Sequence, residues 1–336
     1  MGKIKNIFQK RNYKTLLSCL AVMAVIGHVL NIICEHRHFY FNQYFLFVML
    51  VIQLFVLEKI DAENSAIEKE LIDRKENEVW GSFNTKTKKL MHTTKATTIS
   101  IVLVLIYIFA MFKVGCLEYT ITGIYGGVLG ALVFYIGIQT YLRYLILLYF
   151  SWDLKNLHIK NYFFYIPALT EWIVRLAREF SYIEKWFLVL GLMYSSIYAI
   201  NIPTGVIVIN NGISFQTSSN FLFFITWIGI VVFFAFAVPT FTFLSRHFIK
   251  ECIGQCKYIS IKTLEKQIGI LSTNDSEEDL NTLQTKLSLI KEISLSEEYP
   301  LKYKHTVFDN IYTICLALLT LISPFTSIIE QFIFKG

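Results

Sequence analysis

Between Trp186 and Ser245, sixty residues in all, the chain carries no lysine, arginine, aspartate or glutamate. A domain whose surface meets water does not run so far without charge. The stretch has room for two membrane crossings at about 20 residues each, joined as a helical hairpin. Five further stretches are free of formal charge: Leu16 to Cys34, Phe39 to Leu57, Ala96 to Phe112, Tyr119 to Leu142 and Asn310 to Ile329. Each is long enough, or nearly so, to cross about 30 Å of hydrocarbon. They are continuous apolar runs and do not alternate over ~10-residue segments, so helices are indicated and a β-barrel is not. The expected fold class is an all-α polytopic membrane protein of about seven transmembrane helices, with an amphipathic interfacial helix and a small cytoplasmic helical hairpin. The composition agrees, with 54% hydrophobic and 17% charged residues against about 25% charged in ordinary soluble domains.

The 31 Lys and Arg residues orient the chain, because basic loops stay on the cytoplasmic side. Lys3, Lys5, Lys10, Arg11 and Lys14 precede the first span, and the segments 59–95, 153–185 and 246–306 hold most of the others. The opposite loops hold Arg37 and Lys113. The N-terminus is expected in the cytoplasm of a plasma or inner membrane. The net charge of +6 then reads as topology and contact with anionic lipid, with no nucleic-acid partner, since it is divided among separate loops. Residues 1–58 hold spans 1 and 2, 96–152 spans 3 and 4, 186–245 spans 5 and 6, and 307–336 a last span or broken membrane helix. Span 1 resembles a signal sequence in its basic flank, but no small-x-small site ends it, so a retained anchor is expected.

Three cytoplasmic segments connect these spans. Residues 59–95 read as a charged, solvated connector that continues span 2 as a helix and breaks at Gly81-Ser82. In 153–185, Leu169, Trp172, Ile173, Leu176, Phe180 and Ile183 form an apolar stripe beside a Glu171, Arg175, Glu179 ladder, an amphipathic helix. Its Trp and Arg suit the membrane interface, with packing on a partner domain as the alternative. In 246–306, Ile261, Leu264, Ile268 and Leu271 repeat 3-4-3, as do Leu280, Leu283, Leu287 and Ile290, around a polar turn at 272–275. A helical hairpin follows, packed on its own protein or docking a partner or another copy through the second stripe.

Ionisable groups within lipid mark transport routes, and they are scarce here. His28 is the one central candidate for proton coupling, and a hydrogen-bonded interior role accounts for it. Arg143 falls near the cytoplasmic end of span 4, where it either snorkels to the interface or faces a cavity. Gln139, Thr140, Arg143, Ser195, Ser196 and Asn201 are the pore or binding candidates. Gly126 and Gly130 stand four apart in span 4 and suit close helix packing. Asn201 to Gly205 and Pro239 are places where spans 5 and 6 kink or break. The six cysteines form no strong site: Cys252 and Cys256 lack a second ligand pair, Cys34 and Cys116 sit at outer span ends, and no metal or cofactor is expected.

Enzyme chemistry lacks its parts. The six aspartates form no clustered pair, and there is no H-E-x-x-H, G-x-S-x-G, G-x-G-x-x-G or P-loop. The expected function is a non-enzymatic membrane protein, an oligomeric channel or pore-type subunit that a partner gates. A membrane scaffold or partner-docking subunit is the alternative, and a transporter not coupled to protons ranks third. The partners expected are the lipid bilayer and either further copies or another membrane or cytoplasmic protein.

Overall fold

The computed structural model describes residues 22–23, 25–27, 29, 33, 39–91, 94–113, 121–157, 159–160, 162–200, 207–209, 213–215, 218–271 and 277–300. Seven long helices occupy most of them: α1 (Phe39–Asp73), α2 (Asn77–Met91), α3 (Thr94–Lys113), α4 (Ile121–Asp153), α5 (Glu171–Ile200), α6 (Ser218–Leu271) and α7 (Glu277–Leu295). Among the described residues the structure is helical apart from short loops and a small hairpin, β1 (Ile207–Ile209) with β2 (Ile213–Phe215), which lies between α5 and α6 in the chain. The strands are antiparallel with Ile207 opposite Phe215 and Ile209 opposite Ile213. The β-branched run Ile207-Val208-Ile209 favours a strand.

Helix length separates two zones. At a rise of 1.5 Å per residue, the 35 residues of α1 span about 52 Å and the 54 of α6 about 81 Å, well beyond a ~30 Å apolar layer. Each therefore has an apolar half and a charged half. The charged halves of α1 and α6, together with α2, the end of α4 and the start of α5, build a base with its own sealed core. Ile60, Ile67 and Leu71 of α1, Val79 and Phe83 of α2, Trp172, Leu176 and Phe180 of α5, and Ile249, Cys252 and Ile253 of α6 meet there, all buried. Phe83 packs edge-on to Phe150 with centroids 5.1 Å apart. The apolar halves enclose smaller clusters, one of them around Met49, Leu50, Leu129 and Leu190.

Three expectations change here. The segment 59–95 is no solvated connector, because its apolar residues close the base. Its break falls at Arg74 to Glu76, while α2 runs through Gly81-Ser82. Lys75 adopts φ 58°, the left-handed conformation that ends helices, and the Glu76 carboxylate accepts the Lys160 amide at 3.0 Å, fastening the following loop. Ser82 donates to Asp153 at 2.8 Å and Lys86 pairs with it at 2.6 Å, tying α2 to the foot of α4. The stripe from Trp172 to Ile183 does not lie on a membrane interface. It is the first part of α5, which runs on unbroken into the uncharged stretch that begins at Trp186, and is buried against α1 and α6. Pro239 does not divide α6, which continues from Ser218 past the end of the uncharged stretch at Ser245 to Leu271.

One helical segment among the described residues, Ile124–Asn156, is long and apolar enough to cross a membrane, and the apolar Thr97–Lys113 is shorter. Seven crossings are not confirmed on that ground. The segment 310–329 and most of 16–34 lie outside the described residues.

Candidate functional site

A cavity of about 430 Å³ lies among the apolar halves of α1, α4, α5 and α6. Its rings come from neighbouring turns of helices that face each other. Tyr141 and Tyr144 of α4 each stand edge-on to Phe187 of α5 and Phe241 of α6, with centroid separations of 5.9 to 6.0 Å. Such geometry suits the ring quadrupoles and makes a stiff apolar cage.

Polar groups are few and definite. Gln53 of α1 lines the wall, 5% exposed, and its Oε1 has no hydrogen-bond partner. Gly137 on α4 admits this amide, since a Cβ there would stand 3.1 Å from Gln53 Nε2. Thr140 also lines the wall, but its hydroxyl donates to the Ile136 carbonyl at 3.0 Å, which takes up its proton. At the floor, Glu184 Oε1 accepts the Tyr144 hydroxyl at 3.0 Å and the Ser245 hydroxyl at 2.9 Å. Glu184 stands two residues ahead of the uncharged run, and burial, partly offset by these two donors, pushes its pKa up to about 7.

Around the base a second set of charged groups is laid out. Arg143 Nε pairs with Asp61 Oδ1 of α1 at 2.9 Å, its Nη1 reaches both the carbonyl and Oε1 of Gln139 at 3.3 Å, and Gln139 Nε2 donates to Ser100 of α3 at 2.8 Å. Arg143 is therefore held in a polar chain linking three helices, turned away from the cavity. Nearby, Arg175 donates to Glu171 at 2.7 Å and lies 3.6 Å from both Glu63 and Glu70. Inboard of this network Glu179 is buried with neither oxygen partnered, and its pKa is held well above the usual carboxylate range by burial and then by the negative charges of Glu63 and Asp61.

The candidates from sequence thus divide. Thr140 joins the cavity wall, whereas Gln139 and Arg143 join the ion-paired chain, because adjacent positions on a helix point to different faces. Ser195 and Ser196 fall on the last turns of α5, and Asn201 lies outside the described residues, as do His28, Cys34 and Cys116. Gly130 faces α3, where a Cβ would stand 3.1 Å from the Tyr107 hydroxyl; Gly126 is half-buried on the same helix. On α7, Leu280 and Leu287 are exposed, while Leu283 and Ile290 are half-buried. Cys252 and Cys256 are buried free thiols in the base, and the hydrogen bond between them and then burial push the Cys252 thiol far up, which leaves it unreactive. Among the described residues no three His, Cys, Asp or Glu side chains are grouped to hold a metal ion.

Sequence reasoning missed Gln53, Tyr144, Glu184 and Ser245. Gln53 carried a weak signal, as one of three amides in the uncharged stretch 39–57, beside Asn42 and Gln43. Glu184 carried none, since beside Lys185 at a span end it looks like an ordinary solvated flank. No family model, curated protein or solved structure matches this chain.

The raised Glu184 pKa makes stability depend on pH. The folded state holds a proton that the unfolded chain, with an ordinary value of 4.5, has released, so stability falls as pH rises from about 4.5 to about 7. Linkage puts the loss at about 3 kcal/mol. Glu184→Gln keeps an acceptor for Tyr144 and Ser245 and should remove that part of the dependence. Thermal midpoints of the purified protein at pH 5 and 8 check this, and a variant with the wild-type slope would refute it. Glu179 acts with the same sign.

Proposed function

We propose that this chain is a non-enzymatic integral membrane protein of channel type, one subunit of a homo-oligomer that a partner gates. In this reading seven helices cross a plasma or inner membrane, with the N-terminus, the base and the α6–α7 hairpin in the cytoplasm. The observation that carries it is an outward apolar band. Leu105, Ile106 and Phe109 of α3 and Ile124 and Val128 of α4 are exposed, Phe109 by 62%, directly beyond a base that is sealed. Water does not tolerate so extended an apolar surface, whereas lipid tails or a neighbouring copy do.

The cavity supports placing an ion path between copies and not through one. Its rings and aliphatic walls offer a permeant ion no ring of charges or carbonyls. Between α3 and α4 an outer groove of about 490 Å³, lined by Val104, Ile108, Gly127, Val128, Ala131 and Tyr135, supports close approach of a second subunit or a lipid. One observation favours the scaffold reading: Leu280, Leu287 and Leu295 on α7 are all exposed by half or more.

Topology is tested first. A reporter at Glu68 or Asn281 should be cytoplasmic and one at Asn211 outside, and the opposite labelling would overturn the map. Conduction is tested by ion flux into liposomes holding the purified protein. Flux abolished by cross-linking cysteines placed on α3 would support a path between copies. An absence of flux together with loss of a co-purifying partner on Leu280→Asp/Leu287→Asp would move the assignment to a scaffold.

A further inference from the structure

The cavity among α1, α4, α5 and α6 has a composition that conduction does not use. Its walls are aliphatic and aromatic, its volume of about 430 Å³ falls within the ~300–1,000 Å³ of small-molecule sites, and it lies at the depth of the apolar band. A polar group is present that nothing in the protein explains: Gln53 is 5% exposed, its Oε1 lacks a partner, and Gly137 leaves it room. A buried amide without a partner is costly, and a leucine of similar volume in its place would avoid that cost. The terminal amide turns about a soft torsion and can offer its oxygen to the cavity. What it lacks is a donor.

We infer that the cavity is a binding site for a neutral, single-chain lipid or alcohol bearing one hydroxyl, which donates to Gln53 Oε1 while its chain fills the space against Phe187, Phe241, Tyr141 and Tyr144. Charge is excluded from the ligand by the walls, since a cation or anion would lose its hydration against hydrocarbon. The Glu184 Oε1 atom is already taken by Tyr144 and Ser245, so it does not compete for the hydroxyl. The site depends on the membrane reading for its source of ligand and not on conduction. It stands whether or not liposomes show flux.

The test uses the full chain in nanodiscs with a diazirine-bearing dodecan-1-ol as the photo-probe and peptide mapping of the labels. Labels are expected at Met49, Tyr141 and Phe241, displaced by plain dodecan-1-ol at about five- to tenfold lower concentration than by dodecane, which lacks the donor. Gln53→Leu should erase that difference while leaving dodecane competition intact. Val133→Trp should fill the space and remove the labels from these three positions. Labels confined to the outer face of α3 and α4, or dodecane and dodecan-1-ol competing equally in the wild type, would overturn the proposal. The wild-type comparison needs no variant to fold.

Discussion

Changing Trp172 to alanine is expected to destabilise the base by about 3–5 kcal/mol. Trp172 is fully buried where α5 crosses α1 and α6, and it is among the largest side chains in that core. The loss is large against the roughly 5–15 kcal/mol that holds a domain together. Its indole Nε1 has no hydrogen-bond partner, so the contribution is packing alone. Trp172→Phe should therefore be far milder, at about 1–2 kcal/mol. Leu169, three residues earlier on the same stripe, is 51% exposed, and Leu169→Ala should leave stability unchanged within about 0.5 kcal/mol. Chemical unfolding and limited proteolysis of the purified protein measure all three. Equal effects at Leu169 and Trp172 would mean that the stripe lies on a membrane surface after all.

The second large effect is expected at Arg143. Arg143→Glu sets a carboxylate against Asp61 and removes the donors that reach Gln139, so α1, α3 and α4 lose a shared tie. The Arg143 side chain is 12% exposed and that of Asp61 52%, which places the cost between exposed and buried pairs, at about 1–3 kcal/mol. Asp61→Lys combined with Arg143→Glu should restore most of it. Stability of the inserted protein and reversal potentials in asymmetric salt separate the roles. A shift in ion selectivity that persists in the rescued double variant would place Arg143 beside the ion path. Rescue of stability with no such shift would leave it as a tie between helices.

The amphipathic pattern from Leu169 to Ile183 was legible because helical periodicity reports which face is apolar. It does not report what covers that face, and lipid, a partner and the protein's own α1 and α6 all give one pattern. The uncharged run from Trp186 to Ser245 likewise foretold two helices and a reversal between them. It hid the β-hairpin, whose residues are as apolar as those of a span. Gly81 was misleading: a Cβ there would meet nothing within 4 Å, so the glycine marks neither a turn nor a close approach. The true turn holds Lys75 in a left-handed conformation, and nothing in the residue type announces it. Two of the cavity's polar groups, Gln53 and Glu184, are 131 positions apart in the chain, and their meeting depends on how four helices pack.

The base core draws on residues as far apart in the chain as Val56 and Tyr299. During synthesis α1, α4 and α5 emerge while much of their cover is still missing. Trp172, Phe180 and Ile183 then stay uncovered until Ile249, Cys252 and Ile253 arrive on α6. At about 5–20 residues per second, the stretch from Ser245 to Tyr299 takes some seconds to emerge. For that interval the nascent protein presents an uncovered apolar face, which is a client surface for chaperones and a point of vulnerability to proteases. A chain stopped within α6 should therefore be degraded faster than one stopped after Tyr299.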